Sequence, residues 1–493
     1  MIEYILVGVV MTLLAFAWKK NSSTTEINFP PGPEQTVVMG NFKDIDTERV
    51  HGSLHKISES YGPITFIRLL SRNIIVLNTT KVIRKAFTTP EFREHLNDKS
   101  KGFYGTYLVY NHADVLLGPY TKTTFKLKDV MHRGLKPCMA PKQVEKELKL
   151  LIDVFKRKKG EDFVLRGIIE KQIAEVTTML ITGEVEDGDA EMMWDFVNWS
   201  NKLLNPSMES LLKNLPFLRY FPGKPGLLYN TAREKRDKLL ARFLDESRTT
   251  YVEGSQRGLV DTCILIQQTE QKAGRESWLT DDMIKALILD TIGAGLVSTT
   301  NSILACILNL LHHPECIKKM KTEIVKILGT STLPVIGDED RLPYCYAVML
   351  ETLRYSSVVP LVSHYCSTKD VQFEGYTIPK GTMIWGNIWS AHHEEEAWSD
   401  PWKFKPERFL DKHGKMVSKE NPLRQNLIPL GIGPRDCVGS KFAMVRLFTY
   451  VTTIVQHFDI EQPQDCELMS CDPNLYTSGA VLQCRDFSMR IKS

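Results

Sequence analysis

A long run of apolar positions between Thr280 and Pro314 predicts a single buried helix. Thr280 is a favourable N-cap residue, and Asp281 and Asp282 fall in the first turn, where carboxylates interact well with the helix dipole. A helix of roughly thirty residues is long for a globular protein. Since apolar side chains cover nearly every face, we expect it to lie at the centre of the fold. The small residues Gly293-Ala294-Gly295 in its middle would let a planar group lie against the backbone.

The remaining pattern predicts more helices and a few short strands. Apolar or alternating runs at 64–70 and 73–77 are typical of a β-hairpin, and those at 358–364 and 375–383 of further strands. Residues 150–275 predict long helices, and 344–355 predicts another. The expected fold is therefore predominantly α with small β-sheets.

The N-terminus predicts a single-pass membrane anchor. Ile2 to Trp18 is apolar except for two residues, and Lys19-Lys20 follow. A helix of this length spans about 25 Å, which is short but sufficient for a bilayer core. The alternative is a cleaved signal peptide, for which Ala15-Phe16-Ala17 resembles a cleavage site. However, the positive charges follow the apolar run rather than precede it, which favours a retained anchor with a cytoplasmic body. We expect an anchor at 1–20, a linker and proline hinge at 21–33, and one domain from 34 to 493.

Composition excludes several classes of protein. The chain has 493 residues, of which 43% are hydrophobic and 25% charged, and a formal net charge of +3 gives no sign of nucleic-acid binding. Ten scattered cysteines favour a reducing compartment over a disulfide framework. The run His392-His393 followed by three glutamates resembles a metal cluster, but its polarity favours a solvated loop.

A candidate reactive thiol lies in the segment 427–443, which reads as a loop running into a helix. Cys437 would lie at the helix N-terminus, where free N–H groups and the helix dipole lower the pKa of a thiol. Gly433 and Gly439 remove side chains on either side, and Arg435 could reach a carboxylate of a ligand. The alternative is a buried, inert cysteine, which is the usual fate of a lone thiol.

The order Gly433-x-Arg435-x-Cys437-x-Gly439 before a helix resembles the haem-binding loop of the cytochrome P450 family. The resemblance implies that Cys437 is the axial thiolate ligand of a haem b iron. It also implies that Arg435 and the two flanking glycines contact the haem. Leu430 occupies the position of a phenylalanine that usually shields the sulfur, and this replacement should shift the redox potential.

The central helix resembles the oxygen-binding helix of the same family. The family pattern is a small residue, a glycine, any residue, an acid and an alcohol, and residues 294–298 occupy these five positions here. The acid position holds a valine, Val297. The resemblance implies catalytic roles for four residues: Ala294, Gly295, Ser298 and Thr299.

Glu351 and Arg354 are three residues apart on the helix predicted at 344–355, so they can pair. An isolated pair of this kind is usually exposed. Because Arg408 follows at the family's distance, the resemblance implies a buried network of these three charges.

A basic stretch from Lys122 to Lys149 has three possible roles. It could be a solvated helical face. It could bind a haem propionate, for which Arg133 is the best match to the family motif although Asp129 replaces the usual tryptophan. It could also dock an acidic electron donor. His364 is a second candidate for a propionate or, equally, a satisfied core histidine.

The aromatic, proline-bounded segment 215–222 predicts either a turn packed into the core or a second membrane contact beside a substrate entrance.

The whole pattern resembles a microsomal animal cytochrome P450 of the xenobiotic and steroid hydroxylase type. It implies a monooxygenase that inserts one oxygen atom of O2 into a lipophilic steroid, fatty acid or xenobiotic. Electrons would come from NADPH through a reductase, with cytochrome b5 as a further candidate partner. The expected location is the endoplasmic reticulum membrane, with the catalytic domain facing the cytosol and no nucleic-acid partner. The alternatives are an O2-independent isomerase or dehydratase of lipid peroxides and a catalytically weak haem-binding protein.

Overall fold

The structure, a computed structural model, describes residues 27–463, 466–477 and 481–492. The predicted anchor at 1–20 and the first part of the linker lie outside the described residues. The chain divides into two compact units, one containing 27–100 and 361–390 and the other containing 101–360 and 391–492. We describe each unit by itself.

The described residues are mostly helical, which confirms the predicted fold class. The α-helices are α1 (Val50–Tyr61), α2 (Thr80–Thr88), α3 (Pro90–Leu96), α4 (Phe103–Tyr107), α5 (Lys122–Leu135), α6 (Pro141–Lys156), α7 (Arg166–Thr182), α8 (Asp189–Leu204), α9 (Pro206–Asn214), α10 (Lys224–Leu240), α11 (Leu259–Lys272), α12 (Asp281–His312), α13 (Pro314–Leu328), α14 (Pro343–Ser356), α15 (Ile388–His393), α16 (Pro422–Asn426) and α17 (Ser440–His457). Helix α10 continues through a π-helical segment at Ala241–Glu246 into a last turn at Ser247–Thr249.

Within the part of the chain that the structure describes, the strands are short and form three small sheets. They are β1 (Ile64–Leu69), β2 (Arg72–Leu77), β3 (Asp98–Lys99), β4 (Asp162–Val164), β5 (Leu361–Cys366), β6 (Val371–Phe373), β7 (Tyr376–Ile378), β8 (Met383–Asn387), β9 (Ile460–Glu461) and β10 (Ser488–Ile491). The first unit, here called the sheet unit, holds a five-stranded sheet in the order β1-β2-β8-β5-β3 and the β6-β7 pair. The second, here called the helical unit, holds the sheet β4-β10-β9.

The sheet unit is built on the predicted hairpin. Strands β1 and β2 pair antiparallel from Ile64 opposite Leu77 to Leu69 opposite Arg72, which confirms the hairpin. Strand β8 then pairs parallel with β2. The residues of β2 from Ile74 to Leu77 are fully buried, as expected for a strand with neighbours on both sides.

The helical unit is organised around α12. Thr280 caps it as predicted, since its Oγ1 accepts the N–H of Met283 at 3.3 Å. Among the described residues, α12 is the one helix long and apolar enough to cross a membrane. However, 83% of its most apolar stretch is buried within the protein, so α12 is a core helix.

Candidate functional site

The cysteine loop, residues 427–439, folds back on itself just before α17. The N–H of Cys437 donates to the carbonyl of Leu430 at 2.8 Å, and this bond closes the loop. Gly431 and Gly433 have φ angles of 73° and 81°, a left-handed conformation that favours glycine. A short 3₁₀ turn at Gly433–Arg435 follows, and α17 begins three residues after the thiol. The sequence therefore predicted the loop and the following helix correctly.

The thiol of Cys437 is not activated by the protein alone. Burial raises its pKa above the usual range, and the N–H of Gly439 and the charge of Lys128 lower it only in part. The expected net lowering of the pKa at a helix N-terminus is wrong here, because desolvation outweighs the hydrogen bond and the nearby charge. A coordinated metal ion deprotonates a thiol outright, so this environment suits a metal ligand better than a free nucleophile.

Two cations contact the cysteine loop or lie within it. Lys128 of α5 donates from Nζ to the carbonyls of Pro434 at 3.1 Å and Asp436 at 3.0 Å, and pairs with the carboxylate of Asp436. Arg435 donates to the carbonyls of Val115 at 3.0 Å and Gly118 at 2.7 Å. The bonds of Lys128 fix the backbone just before the thiol, and those of Arg435 attach the loop to Val115 and Gly118.

Arg133, the residue predicted to bind a propionate, lies elsewhere on α5. It pairs with Asp129 at 3.1 Å, and both side chains are about half exposed, at 46% and 65%. The side chain of α5 that reaches the cysteine loop is Lys128. Arg133 comes five positions after Lys128, which places the two side chains about 140° apart around the helix. A propionate role for Arg133 stays a prediction.

In the middle of the central helix, residues 293–295 and Ser298 form an open stretch. Gly293 and Ala294 are exposed, and Gly295 and Ser298 are half-buried, although most of the other α12 residues are buried. A Cβ atom added at Gly293 would meet no atom within 4 Å. The predicted small-residue site is thus a surface against which a flat group can lie.

The side chains of residues 297–299 differ in their exposure at the open stretch. Ser298 donates from Oγ to the carbonyl of Ala294 at 2.7 Å, at the edge of the opening. Val297 and Thr299 are buried, with 5% and 3% exposure. Of the three predicted polar or acid positions, only Ser298 is thus presented to the opening.

The predicted charge network is assembled and buried. Glu351 accepts from Arg354 at 2.8 and 2.9 Å, and Arg408 Nε lies 2.9 Å from the same carboxylate. The N–H of Lys405 also donates to Glu351 at 2.9 Å. Glu351 and Arg354 are fully buried, so each charge depends on its partners.

His392 links this network to the cysteine loop, and the sequence did not reveal it. Arg354 donates to the carbonyl of His392 at 2.9 Å, and the ring Nε2 of His392 accepts the N–H of Ile428 at 3.0 Å. Burial, with a smaller effect of Arg354, lowers the pKa of His392 to about 3, so the ring is neutral and can accept. The predicted solvated loop is wrong, since His392 and His393 are both buried. The three glutamates that follow made this segment look solvent-exposed in the sequence.

His364, the second propionate candidate, lies on β5 in the sheet unit. It is exposed, with a φ angle of 66°, at an irregularity in the pairing of β5 with β8. Its Nδ1 lies 2.8 Å from the hydroxyl of Ser363. A ligand role for His364 stays a prediction.

Comparison with known proteins gives one consistent result. The protein-family model described as cytochrome P450 matches residues 30–484. The chain is 28% identical to cytochrome P450 2E1 of Mesocricetus auratus, over 97% of this chain and 96% of that protein. It is 27% identical to cytochrome P450 2D28 of the same species, over 88% and 87%. It is also 28% identical to cytochrome P450 2E1 of Oryctolagus cuniculus, over 93% of each.

The chain therefore belongs to the cytochrome P450 family. It is a haem-thiolate monooxygenase, with a haem whose iron is held by a cysteine thiolate.

The geometry fits a haem group. A flat, largely apolar macrocycle needs an open surface of small residues, and α12 offers one at 293–295 in an otherwise buried helix. An iron ligand needs a thiol held in a fixed loop, which the bond from Cys437 to Leu430 provides. Haem propionates need cations, and Lys128 and Arg435 lie at this loop.

Proposed function

We propose that Cys437 supplies the thiolate of the haem iron and that Lys128 and Arg435 face the haem propionates. The observation that carries the proposal is the combination of the closed loop at Cys437 with the open stretch of α12, both in one compact unit. Leu430, Gly433 and the neighbouring Gly439 would shield and shape the sulfur. In this proposal Lys128 takes the place that the sequence assigned to Arg133, because Lys128 is the cation of α5 that contacts the loop.

On α12, Ser298 would hold the water that delivers protons. Its hydroxyl is the one at the edge of the open stretch, while Thr299 is buried. Ala294 and Gly295 would leave room for substrate and oxygen. Bound haem supplies reductive activation of O2, and the side chains of α12 position water and exclude bulk solvent.

Electrons would come from NADPH through a separate reductase, with cytochrome b5 as a second candidate donor. The exposed lysines of the basic stretch support this proposal, since Lys122, Lys126 and Lys136 all face solvent. A surface groove of about 520 Å³ lies beside Lys122 and Lys126, lined by Trp278 and Phe125 as well as by charged side chains. A basic surface of this kind attracts an acidic donor and speeds its association.

The substrate would be lipophilic and would reach the enzyme from a membrane, in agreement with an anchor in the endoplasmic reticulum and a cytosolic catalytic domain. The segment around the 3₁₀ turn Pro216–Tyr220 supports this, because Phe217, Tyr220 and Phe221 are 51%, 72% and 58% exposed. The alternative of a turn packed into the core does not fit this exposure. Vesicle binding by a protein lacking residues 1–20 tests the contact. Replacing Phe217 and Phe221 by serine should abolish that binding, and unchanged binding would exclude the segment.

The experiment that tests the function is a turnover assay with purified reductase and a library of steroids, fatty acids and xenobiotics. We expect NADPH consumption that depends on substrate and yields a product carrying one atom from labelled O2. The isomerase alternative is not favoured by the similarity to the 2D and 2E1 relatives. Rearrangement of a lipid peroxide without any NADPH consumption would nevertheless establish it. Haem binding without turnover of either kind would support the third alternative, a catalytically weak haem-binding protein.

A further inference from the structure

Residues 114–118, here called the strap, are held by ionisable side chains from two sides. Asp290 of α12 accepts the N–H groups of Val115 at 2.8 Å and Leu116 at 3.1 Å. Arg435 of the cysteine loop donates to the carbonyls of Val115 and Gly118. The strap thus joins the central helix to the segment that carries Cys437.

The chain enters the strap in a sterically disfavoured conformation. Tyr110, Asn111 and His112 have φ angles of 46°, 57° and 62°, so three successive residues with side chains are left-handed. Such a conformation persists only where surrounding contacts enforce it. His112 supplies one contact, with Nδ1 3.1 Å from the carbonyl of Leu117. Others are the bond between His112 Nε2 and Thr106 Oγ1 at 3.2 Å and the backbone bonds from Asn111 to Thr106 and from His112 to Gly105. Asp290 and Arg435 hold the strap that follows.

The strap also brings a second carboxyl group to Asp290. Asp114 accepts the N–H of Leu117 with its Oδ2 at 2.8 Å, and it directly precedes Val115, whose N–H is bound by Asp290. Asp114 is 1% exposed and Asp290 is 8% exposed. The Oδ1 atom of Asp114 has no partner if both groups are ionised, because carboxylates only accept. One proton shared between the two groups would give this buried atom a partner.

No cation neutralises the pair among the residues that the structure describes. The other titratable groups that face it are His112 and Tyr104, with Arg236 beside Tyr104, and none forms an ion pair with either carboxyl. Burial raises the pKa of Asp114. Burial and then the neighbouring Asp114 raise the pKa of Asp290 well above its usual range. Two like charges in a buried site favour retention of one proton.

We propose that Asp114 and Asp290 share one proton, and that the hydrogen bond it forms is the lock that holds the strap on α12 and presents the strap carbonyls to Arg435. Both carboxyls are then positioning residues that act on the cysteine loop through Arg435. The proposal does not depend on the substrate or the electron donor.

The lock has a defined dependence on pH. Because the folded pKa of the pair is raised, the locked state binds the proton more tightly than the open state does. The lock is therefore strongest below the usual Asp range and weakens as the pH rises through the folded pKa of the pair. For a single proton the opening equilibrium changes by up to about tenfold per pH unit.

Hydrogen exchange at the amides of Val115 and Leu116 in the haem-loaded, full-length protein tests the proposal. Between about pH 5 and 8, where folded proteins are generally most stable, protection corrected for intrinsic exchange should fall as the pH rises. Asp114→Asn keeps a donor to Asp290 without needing the proton, so its protection should be high and independent of pH. Asp114→Ala removes the partner, and its protection should be at least tenfold lower at low pH.

Asp338→Asn is the matched control. Asp338 is equally buried and accepts a backbone N–H from Val335 at 2.9 Å, but its partner is Arg341 rather than a second acid. This variant should leave exchange in the strap unchanged. Protection in the wild type that does not vary with pH, or Asp114→Ala protection equal to wild type, would overturn the lock.

Should Asp114→Ala fail to fold, infrared spectroscopy tests the shared proton directly, since the wild type should show a protonated-carboxyl band that Asp114→Asn lacks. Absence of that band from the wild type would overturn the shared proton.

Discussion

Glu351 and Arg354 form a fully buried ion pair, with Oε1 2.8 Å from Nη2, one helical turn apart on α14. Arg408 contributes a second positive charge at 2.9 Å. A buried charge is stable only while its partners remain, and removal of one partner typically costs about 3–5 kcal/mol. Loss of either partner should therefore destabilise the unit that carries the cysteine loop.

We predict that Glu351→Gln lowers the free energy of unfolding by about 3–5 kcal/mol, because it leaves two buried arginines without a counter-charge. Chemical denaturation of the haem-loaded protein measures this. Lys156→Ala is the control. Both side chains of the Lys156–Asp153 ion pair are exposed to solvent, so this pair should contribute nothing measurable to the free energy of unfolding. Equal stability of Glu351→Gln and the wild type would show that the network is not needed.

His392 should make haem retention sensitive to acid. With a pKa of about 3 in the folded state, its neutral ring favours folding at neutral pH. That contribution is lost as the pH falls from the unfolded value of about 6.5 towards 3, by about 1.4 kcal/mol per unit. His392→Gln keeps an acceptor for the N–H of Ile428 and a donor for the hydroxyl of Ser357, without titrating.

We therefore expect the wild type to lose haem faster as the pH is lowered below about 6.5, and His392→Gln to show a shallower dependence. Transfer of haem to an acceptor protein measures the rate. Parallel pH profiles for the two proteins would mean that other groups control acid release.

Much of the fold was predictable because its signals are local. Thr280 and Pro314 mark the ends of α12, and the glycines around Cys437 mark the loop, so nearby residues were sufficient. The contacts of Lys128 were not predictable, because they depend on which face of α5 turns toward a loop about three hundred residues away. His392 was missed for a similar reason, since its burial depends on tertiary packing against Arg354.

The acid position of the central helix should limit coupling. Val297 can neither donate nor accept a proton, and serine at 298 lacks the methyl group that restricts the rotamer of threonine. We predict an active enzyme that releases appreciable hydrogen peroxide for each NADPH consumed. The change Val297→Asp with Ser298→Thr should raise product per NADPH, provided that the buried aspartate finds a partner.

The measurement is product and hydrogen peroxide per NADPH in the same reaction. Ser298→Ala is the control and should couple less well than the wild type, because it removes the hydroxyl at the open stretch. Tight coupling in the wild type that Ser298→Ala does not disturb would show that Ser298 plays no part in proton delivery.

Electron supply should depend on the exposed lysines of α5. Reversal of charge in Lys122→Glu with Lys126→Glu should raise the apparent KM for reductase severalfold, while turnover driven by peroxide stays intact. Activity with reductase should also fall with salt, since exposed charges are screened beyond about 8–10 Å at physiological ionic strength.

Lys412→Glu with Lys415→Glu reverses two exposed charges that do not belong to α5 and should leave the KM unchanged. If the α5 variant loses both activities equally, the lysines support haem binding rather than docking.

The most direct test of the account is the spectrum of the reduced, carbon monoxide-bound protein in which Cys437 is replaced by serine. The wild type should give the Soret maximum that is specific to thiolate ligation, and Cys437→Ser should lose it. Cys466→Ser, which removes an exposed thiol, should retain it. A thiolate spectrum that survives in Cys437→Ser would contradict the assignment of the iron ligand and the proposed site with it.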